Sequence, residues 1–415
     1  MTSKDSLRSA RKACRGLLLK LAAPIVGVAV LAGCAATTST ASSSEGGRAV
    51  KESGDLVRIG VNLELSGGEA VIGDAYLKGM EAMLESVNAK GVLGGKKIEL
   101  VVRDNKSEPT ESLQISKKFM NDDSIVGILG AGASSTTLSF ASAAESQGVP
   151  VISMGGSDAI VKPTDQRRWI FKTSPLLSQS AEVQVADLKA RGITTVAYLA
   201  VANAYGDVAL DSFTKVAESN GIDVVASERF QMNDKDYSPQ VTKVLAAKPG
   251  ALVAASNPLG SAILTQNAKQ LGWKEPIYFD VGSGSPIFLQ RAAAAAEGVF
   301  GVHPAAMLGD RAPQDLPNYA ELKEFYSTFT EKFGDFSGFA AYGADALGLM
   351  AAAIDKAGTT DSAKVRDALE SLNHMGVEGE FQMTTEDHVG LKTSSLRLLQ
   401  VHDGQWTLAD SQVNQ

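Results

Sequence analysis

Two cysteines and four histidines in 415 residues leave little from which to build metal or thiol chemistry. His303, His374, His388 and His402 contain no i, i+4 pair of the kind a helix uses to hold zinc, and neither cysteine lies near them in the chain. Aromatic residues are only 6% of the sequence, and 39 basic against 47 acidic residues give a net charge of −8, without the basic face that nucleic-acid binding needs. No phosphate-loop Gly-Lys-Ser/Thr occurs, and Gly282-Ser-Gly-Ser285 and Gly132-Ala-Ser134 each lack the last glycine of a serine-hydrolase elbow. Asp104, Asp158, Asp207 and Asp280 stand just beyond strand-like runs, where a hydrolase keeps paired carboxylates, yet helix caps and turns account for each. The chain is therefore read as a non-enzyme without cofactor or metal, and nucleic acid is excluded as a partner.

Long apolar runs are also missing. Basic residues from Lys4 to Lys20 precede one short apolar segment, Leu21 to Leu31, which suits a secretory leader better than a membrane span. The next residues, Leu31-Ala32-Gly33-Cys34, resemble the lipobox of bacterial lipoproteins. That resemblance implies a lipid on the Cys34 thiol and cleavage just before it. Cys14 leaves with the leader, so a single cysteine remains and no intramolecular disulfide is possible. Residues 35–54 are rich in Ser, Thr and Gly and read as a flexible tether. The expected location is extracytoplasmic, lipid-anchored to a bacterial membrane, in the periplasm or at the cell surface.

Beyond the tether, strand and helix signals alternate. Val57 to Asn62, Ile98 to Arg103 and Ile125 to Leu129 read as strands; Tyr76 to Lys90 and Glu111 to Met120 read as helices with 3.6-residue apolar spacing. A second series follows Ser174-Pro175: strands at Thr195 to Val201, Ile222 to Glu228, Ala251 to Ala255 and Pro276 to Asp280, with helices at Asp207 to Asn220, Tyr237 to Ala247 and Leu259 to Leu271. Such order predicts an α/β fold with two doubly wound parallel sheets, most simply two lobes. After Pro304 the character changes: helices are expected at Tyr319 to Phe333, Phe339 to Ala357 and Ser362 to Leu372, closed by a Gly-rich hairpin.

The most informative stretch is Ile125 to Asp158. It holds an apolar run, a small-residue turn (Gly130 to Ser135), a helix (Thr136 to Gln147), a second apolar run (Val149 to Ile152) and a second small-residue turn (Ser153 to Asp158). In an open parallel sheet both turns face the ligand crevice. Ser134 to Thr137 sit where unpaired N–H groups and the positive end of the helix dipole favour an anion such as a carboxylate. Serine and threonine are also ordinary helix caps, and on this turn alone that plainer reading has the better standing.

From about Val57 to the C-terminus the chain resembles the type I periplasmic binding proteins, in particular the branched-chain amino acid and amide group that serves ABC importers. The match is carried by Gly60 to Gly67, Gly73 with Lys78-Gly79, Asn88 to Gly91 with Gly94 to Lys96, Arg103-Asp104, Gly130 to Thr136, Gly148 to Ser153, Tyr205-Gly206, Asp236 to Ser238 and Tyr342 to Ala346. It implies two lobes joined by a three-crossing hinge near Ser174-Pro175, near His303-Pro304 and within Thr385 to Lys392. The implied division is 1–34 leader, 35–54 tether, 55–174 with 304–388 lobe one, and 175–303 with 389–415 lobe two. By motif, Ser134, Gly155 and Ser157 take the ligand from lobe one, Tyr205 covers it from lobe two, and Phe339 lies near its side chain. The chain departs from the family pattern at Ile72, where an aromatic is usual. Its lobe-two acid aligns at or beside Val281, meeting Asp280 with a one-residue shift, and a further aromatic contact falls on Ser256 or Asn257. The implied function is capture of a small polar solute, an amino acid, amide or related carboxylate, and delivery to ABC permease subunits. A ligand-sensing lipoprotein acting on a membrane receptor is the alternative, and a lipid-anchored hydrolase the remote one.

Overall fold

The first strand, β1 (Leu56–Leu63), is buried along nearly its whole length, as a parallel strand covered on both faces must be. The computed structural model describes residue 50 and residues 54–414. The leader, Cys34 and nearly all of the expected tether lie outside the described residues. Next come α1 (Ala70–Lys90), β2 (Lys97–Asp104), α2 (Pro109–Met120), β3 (Ile125–Gly130), α3 (Ser134–Gln147), β4 (Val151–Ser153) and β5 (Ile170–Lys172). These strands form a five-stranded sheet in the order β2-β1-β3-β4-β5, every neighbouring pair parallel.

The chain then runs through α4 (Leu177–Ala190), β6 (Thr195–Val201), α5 (Ala204–Ser219), β7 (Asp223–Phe230), α6 (Ser238–Leu245), β8 (Ala251–Ala255), α7 (Pro258–Gln270), β9 (Ile277–Phe279), α8 (Pro286–Ala292) and β10 (Phe300–Pro304). Three helices follow: α9 (Tyr319–Phe333), α10 (Phe339–Ala357) and α11 (Ser362–Leu369). Four short strands end the fold: β11 (Asn373–Met375), β12 (Glu380–Gln382), β13 (Leu396–His402) and β14 (Gln405–Leu408). The second sheet has seven strands in the order β14-β13-β10-β9-β8-β6-β7. The α/β two-lobe architecture with parallel sheets stands, with one addition: β13 runs antiparallel to β10, and β14 antiparallel to β13, at one edge of the second sheet.

Several elements differ from the sequence reading. Helix α1 begins at Ala70 rather than Tyr76, and α11 stops at Leu369 rather than Leu372. Helix α4 was not expected, because Ser180, Gln184 and Asp187 are buried among its apolar residues and break the hydrophobic period. The β13–β14 hairpin turns at Asp403 (φ 50°) and Gly404 (φ 70°), an Asp-Gly pair in the left-handed region that suits a two-residue turn.

Helix α10 is buried on almost every side, which its run of Ala, Gly, Leu and Met permits. It packs against α1 at backbone distance. A Cβ on Gly79 would lie 1.9 Å from the Ala340 carbonyl oxygen, and one on Gly343 would lie 2.2 Å from the Tyr76 carbonyl oxygen. Gly79→Ala is therefore expected to cost about 1–3 kcal/mol by overpacking. The urea midpoint should fall with an unchanged slope; an unaltered midpoint would mean that the helices separate freely here. The apolar face of α9 (Leu322, Phe325, Phe329) joins the same cluster as Phe279 and Trp406 of the second sheet and Phe288 of α8. Helix α9 thereby ties the segment after Pro304 to the lobe that precedes it.

Candidate ligand-binding cleft

The strand ends of both sheets meet across a cavity that encloses about 620 Å³ of atom-free space, part of it open to solvent. On the first lobe, β3 ends at Gly130, whose φ of 139° and close approach to the Asn62 carbonyl (2.1 Å from a built Cβ) admit only glycine. The chain then enters α3 through Ala133, which has no capping side chain. Gly132, Ala133, Ser134 and Ser135 all line the cavity. The N–H groups of the first helical turn thus receive no side-chain cap at the place where the cavity begins.

Behind this turn lies Glu64, fully buried. Its carboxylate accepts hydrogen bonds from Gly132 N (2.9 Å), Thr136 Oγ1 (2.5 Å) and Asn105 Nδ2 (3.1 Å). Burial pushes its pKa up, against the pull of the bonds from Thr136 and Asn105. Beneath the second turn lies Lys172, also fully buried, donating to the carbonyls of Gly156 (2.7 Å), Pro175 (3.2 Å) and Ser157 (3.5 Å). Burial lowers its pKa to about 8. One ammonium therefore fastens the 156–157 turn to the start of the crossing at Ser174-Pro175.

The second lobe offers three capped strand ends. Asn203 accepts from Tyr205 N and Gly206 N (3.0 Å each), Asn257 from Gly260 N (2.8 Å) and Asp280 from Gly282 N (3.0 Å). Each is the cap that a helix or turn after a strand requires. The Tyr205 hydroxyl donates to Asp280 Oδ1 at 2.5 Å, fixing the ring over the cavity. Burial raises the Asp280 carboxyl to about 7, partly offset by its bonds from Tyr205 and Gly282. The lobes touch around the cavity: Asn257 Nδ2 donates to Glu69 Oε2 (3.4 Å), and the Tyr205 ring lies against Gly156.

Of the residues named from sequence, Ser134, Tyr205, Ser256, Asn257 and Phe339 come together on the cavity wall, and so does Ile72. Gly155, Ser157 and Asp280 do not. The Gly155 carbonyl accepts from Ser174 Oγ (2.6 Å). Ser157 is fully buried, its hydroxyl accepting from Ala159 N (3.3 Å) while its own N–H donates to Ser134 Oγ (3.0 Å). Asp280 stands behind Tyr205, and the wall is made by its neighbours Val281 and Gly282. All three hold wall residues in place rather than facing the cavity.

Sequence reasoning missed Glu69, Tyr76, Met154, Asn203, Met232 and Tyr342 on the wall. Two carried a usable signal: Asn203 follows a strand and precedes Tyr205, as a cap does, and Tyr342 lies one helical turn beyond Phe339. Glu69 was hidden by the late start assigned to α1.

Two lobes whose strand ends meet across a small cavity, lined by apolar side chains such as Ile72, Val201 and Phe339 together with helix starts and caps, define a solute-binding protein. A family profile described as Periplasmic binding protein matches residues 56–405, and the chain belongs to that family, one of binding proteins and not of enzymes. Within it the chain is a homologue of the Leu/Ile/Val-binding proteins of branched-chain amino acid ABC transporters. It is 26% identical over 318 residues to the leucine-, isoleucine-, valine-, threonine- and alanine-binding protein of Pseudomonas aeruginosa, covering 76% of this chain and 83% of that protein. It is 24% identical over 343 residues to Leu/Ile/Val-binding protein homolog 7 of Brucella abortus, covering 76% of this chain and 81% of that one. Its fold matches the crystal structure of an extracellular ligand-binding receptor from Rhodopseudomonas palustris with a TM-score of 0.79 at 24% identity, covering 86% of this chain and all of the other. It likewise matches the branched-chain amino acid transporter substrate-binding protein LivJ of Streptococcus pneumoniae, in complex with isoleucine, with a TM-score of 0.74 at 24% identity, covering 86% of this chain and 99% of that one.

Proposed function

We propose that the chain is a lipid-anchored receptor that captures a small amino-acid-like solute in the cleft and delivers it to the permease subunits of an ABC importer. The observation that carries this reading is the pairing of an uncapped helix start at Ser134 with Tyr205 from the opposite lobe, on the wall of one cavity. In this reading residues 55–174 with 304–388 act as one lobe and residues 175–303 with 389–415 as the other. Ser134 and the amides of the first turn of α3 receive the solute carboxylate. Tyr205, held by Asp280, closes over it with Asn257 and Ser256, and Phe339 borders its side chain. Gly155 and Ser157 support the turn from behind. Closure is favoured only because the solute touches both lobes. The anchor is the acylated Cys34, with the tether leaving the lobes free to reach the permease.

Calorimetry with a panel of amino acids, amides and small carboxylates tests the reading. Saturable one-to-one binding without turnover is expected for at least one member. Ser134→Ala should weaken that binding by about 0.5–1.5 kcal/mol, the worth of one hydrogen bond. Turnover of any bound compound, or saturable binding by none, would remove the reading.

A further inference from the structure

We infer that the cleft selects a solute of net positive charge: a carboxylate held at the start of α3, and a nitrogen cation at the far end of the molecule held by Glu69. This inference rests on the solute-binding function proposed above and adds a charge class to it. Glu69 stands at the entry to α1, on the cavity wall, and its side chain caps nothing. Its carboxylate receives one long hydrogen bond, 3.4 Å from Asn257 Nδ2 across the cleft. Among the described residues it is the charged side chain of the wall, and no lysine or arginine lines the cavity.

The groups behind the wall bring Glu69 no counter-charge. Glu64 and Asp280 are both buried there, and Asp280 Oδ2 has no hydrogen-bond partner. The buried cation nearby, Lys172, is engaged by the carbonyls of the 156–157 turn and Pro175. Burial raises the Glu69 carboxyl to about 7, with a further push from Glu64, as expected of a carboxyl with no counter-charge on the wall around it.

Closing the lobes over a neutral apolar side chain would take Glu69 out of water with only a distant amide for company. A buried carboxylate without a counter-charge is costly, and a cation brought by the solute removes that cost. An α-amino acid with an uncharged side chain brings one ammonium and one carboxylate, which cancel. A basic amino acid brings a second cation, which matches the surplus acid.

A plainer role for Glu69 is that of an interlobe latch to Asn257. Glu69→Gln separates the two, because the glutamine amide oxygen still accepts from Asn257 Nδ2 while the charge is gone. Calorimetry on the purified chain and the variant, with lysine, arginine, leucine and isoleucine, reads the difference, and matched melting temperatures establish that the variant is folded. Lysine or arginine is expected to bind at least roughly tenfold tighter than leucine. Glu69→Gln should weaken the basic ligand by about tenfold or more while changing leucine by less than about threefold. Equal losses for basic and apolar ligands would mean a latch alone and overturn the charge assignment. Saturable binding of leucine or isoleucine in preference to lysine and arginine overturns it too, yet leaves the solute-binding function standing. No saturable binding of any of the four, nor of the wider panel, overturns both.

Discussion

Gly156→Val is expected to weaken solute binding by roughly a hundredfold, about 2–3 kcal/mol of overpacking, while leaving the melting temperature of the ligand-free protein nearly unchanged. Gly156 lies in the turn after β4, and its φ is outside the left-handed region, so the substitution introduces no backbone strain. What it introduces is a collision across the cleft. A Cβ there would lie 2.6 Å from Tyr205 Cε2 and 2.9 Å from Tyr205 Cδ2. A free tyrosine ring would swing aside, but this one is tied by its hydroxyl to Asp280 Oδ1 at 2.5 Å. Moving it would leave a buried carboxylate with one bond fewer, next to an oxygen that already has none. The clash therefore falls on the closed arrangement and spares an open one, which is how a substitution lowers affinity without lowering stability. Calorimetry and thermal melts on the same samples check this. Adding Tyr205→Ala to the variant should remove most of the penalty that the valine imposes, because the two residues act as one contact. Unchanged affinity in Gly156→Val would show that binding does not press Tyr205 onto this turn.

Much of this architecture was legible in the chain because its signals are local. The strand, small-residue turn and helix of Ile125 to Gln147 read directly as β3, a glycine-dependent turn and α3, and α9 and α10 were placed at the boundaries observed. Ser134 follows from the same logic, since it sits at the start of a helix the sequence marks clearly, whereas Tyr205 and Phe339 rest on the family resemblance, by motif. What stayed hidden depends on contacts between distant segments. The family resemblance makes Ser157 a ligand hydroxyl, but its oxygen caps Ala159 N and its amide braces Ser134. The Gly155 carbonyl is turned to Ser174, nineteen residues on, which no spacing rule reveals. Glu69 was lost for another reason: α1 starts with residues whose apolar period is weak, so the helix was begun too late to show that the residue just before it faces the cleft. Helix α4 was lost to buried polar residues that tie lobe two together, Asp187 among them, which accepts from Tyr278 and Ser411 hydroxyls at 2.6 and 2.5 Å.

Asp280 carries the last expected result, a pH-dependent gain in relative stability for Asp280→Asn. The carboxyl is buried, accepts from Tyr205 and Gly282 through Oδ1, and has no partner at Oδ2. Burial raises its pKa in the folded chain to about 7, from the ordinary carboxyl value of 3.8 that holds in the unfolded chain. Because the folded state holds this proton more tightly, the group's contribution to stability is greatest at low pH. It declines as the pH rises from about 4 to about 7 and is level above that. Asparagine keeps an acceptor for Tyr205 and Gly282 and does not ionise, so it follows no such decline. Asp280→Asn should therefore gain on the parent by roughly 2–3 kcal/mol between pH 5 and pH 8. Urea unfolding at the two pH values measures this difference. Asp345, raised to about 7 by burial, bends the parent's own curve the same way, and His303, lowered to about 3 by burial, bends it the other way. Both are shared by parent and variant and cancel in the comparison. A pH-independent difference would mean that Asp280 is ionised in the folded protein at pH 5, with a counter-charge or solvent at Oδ2. It would then be a group open to the cleft rather than the support that holds Tyr205 from behind.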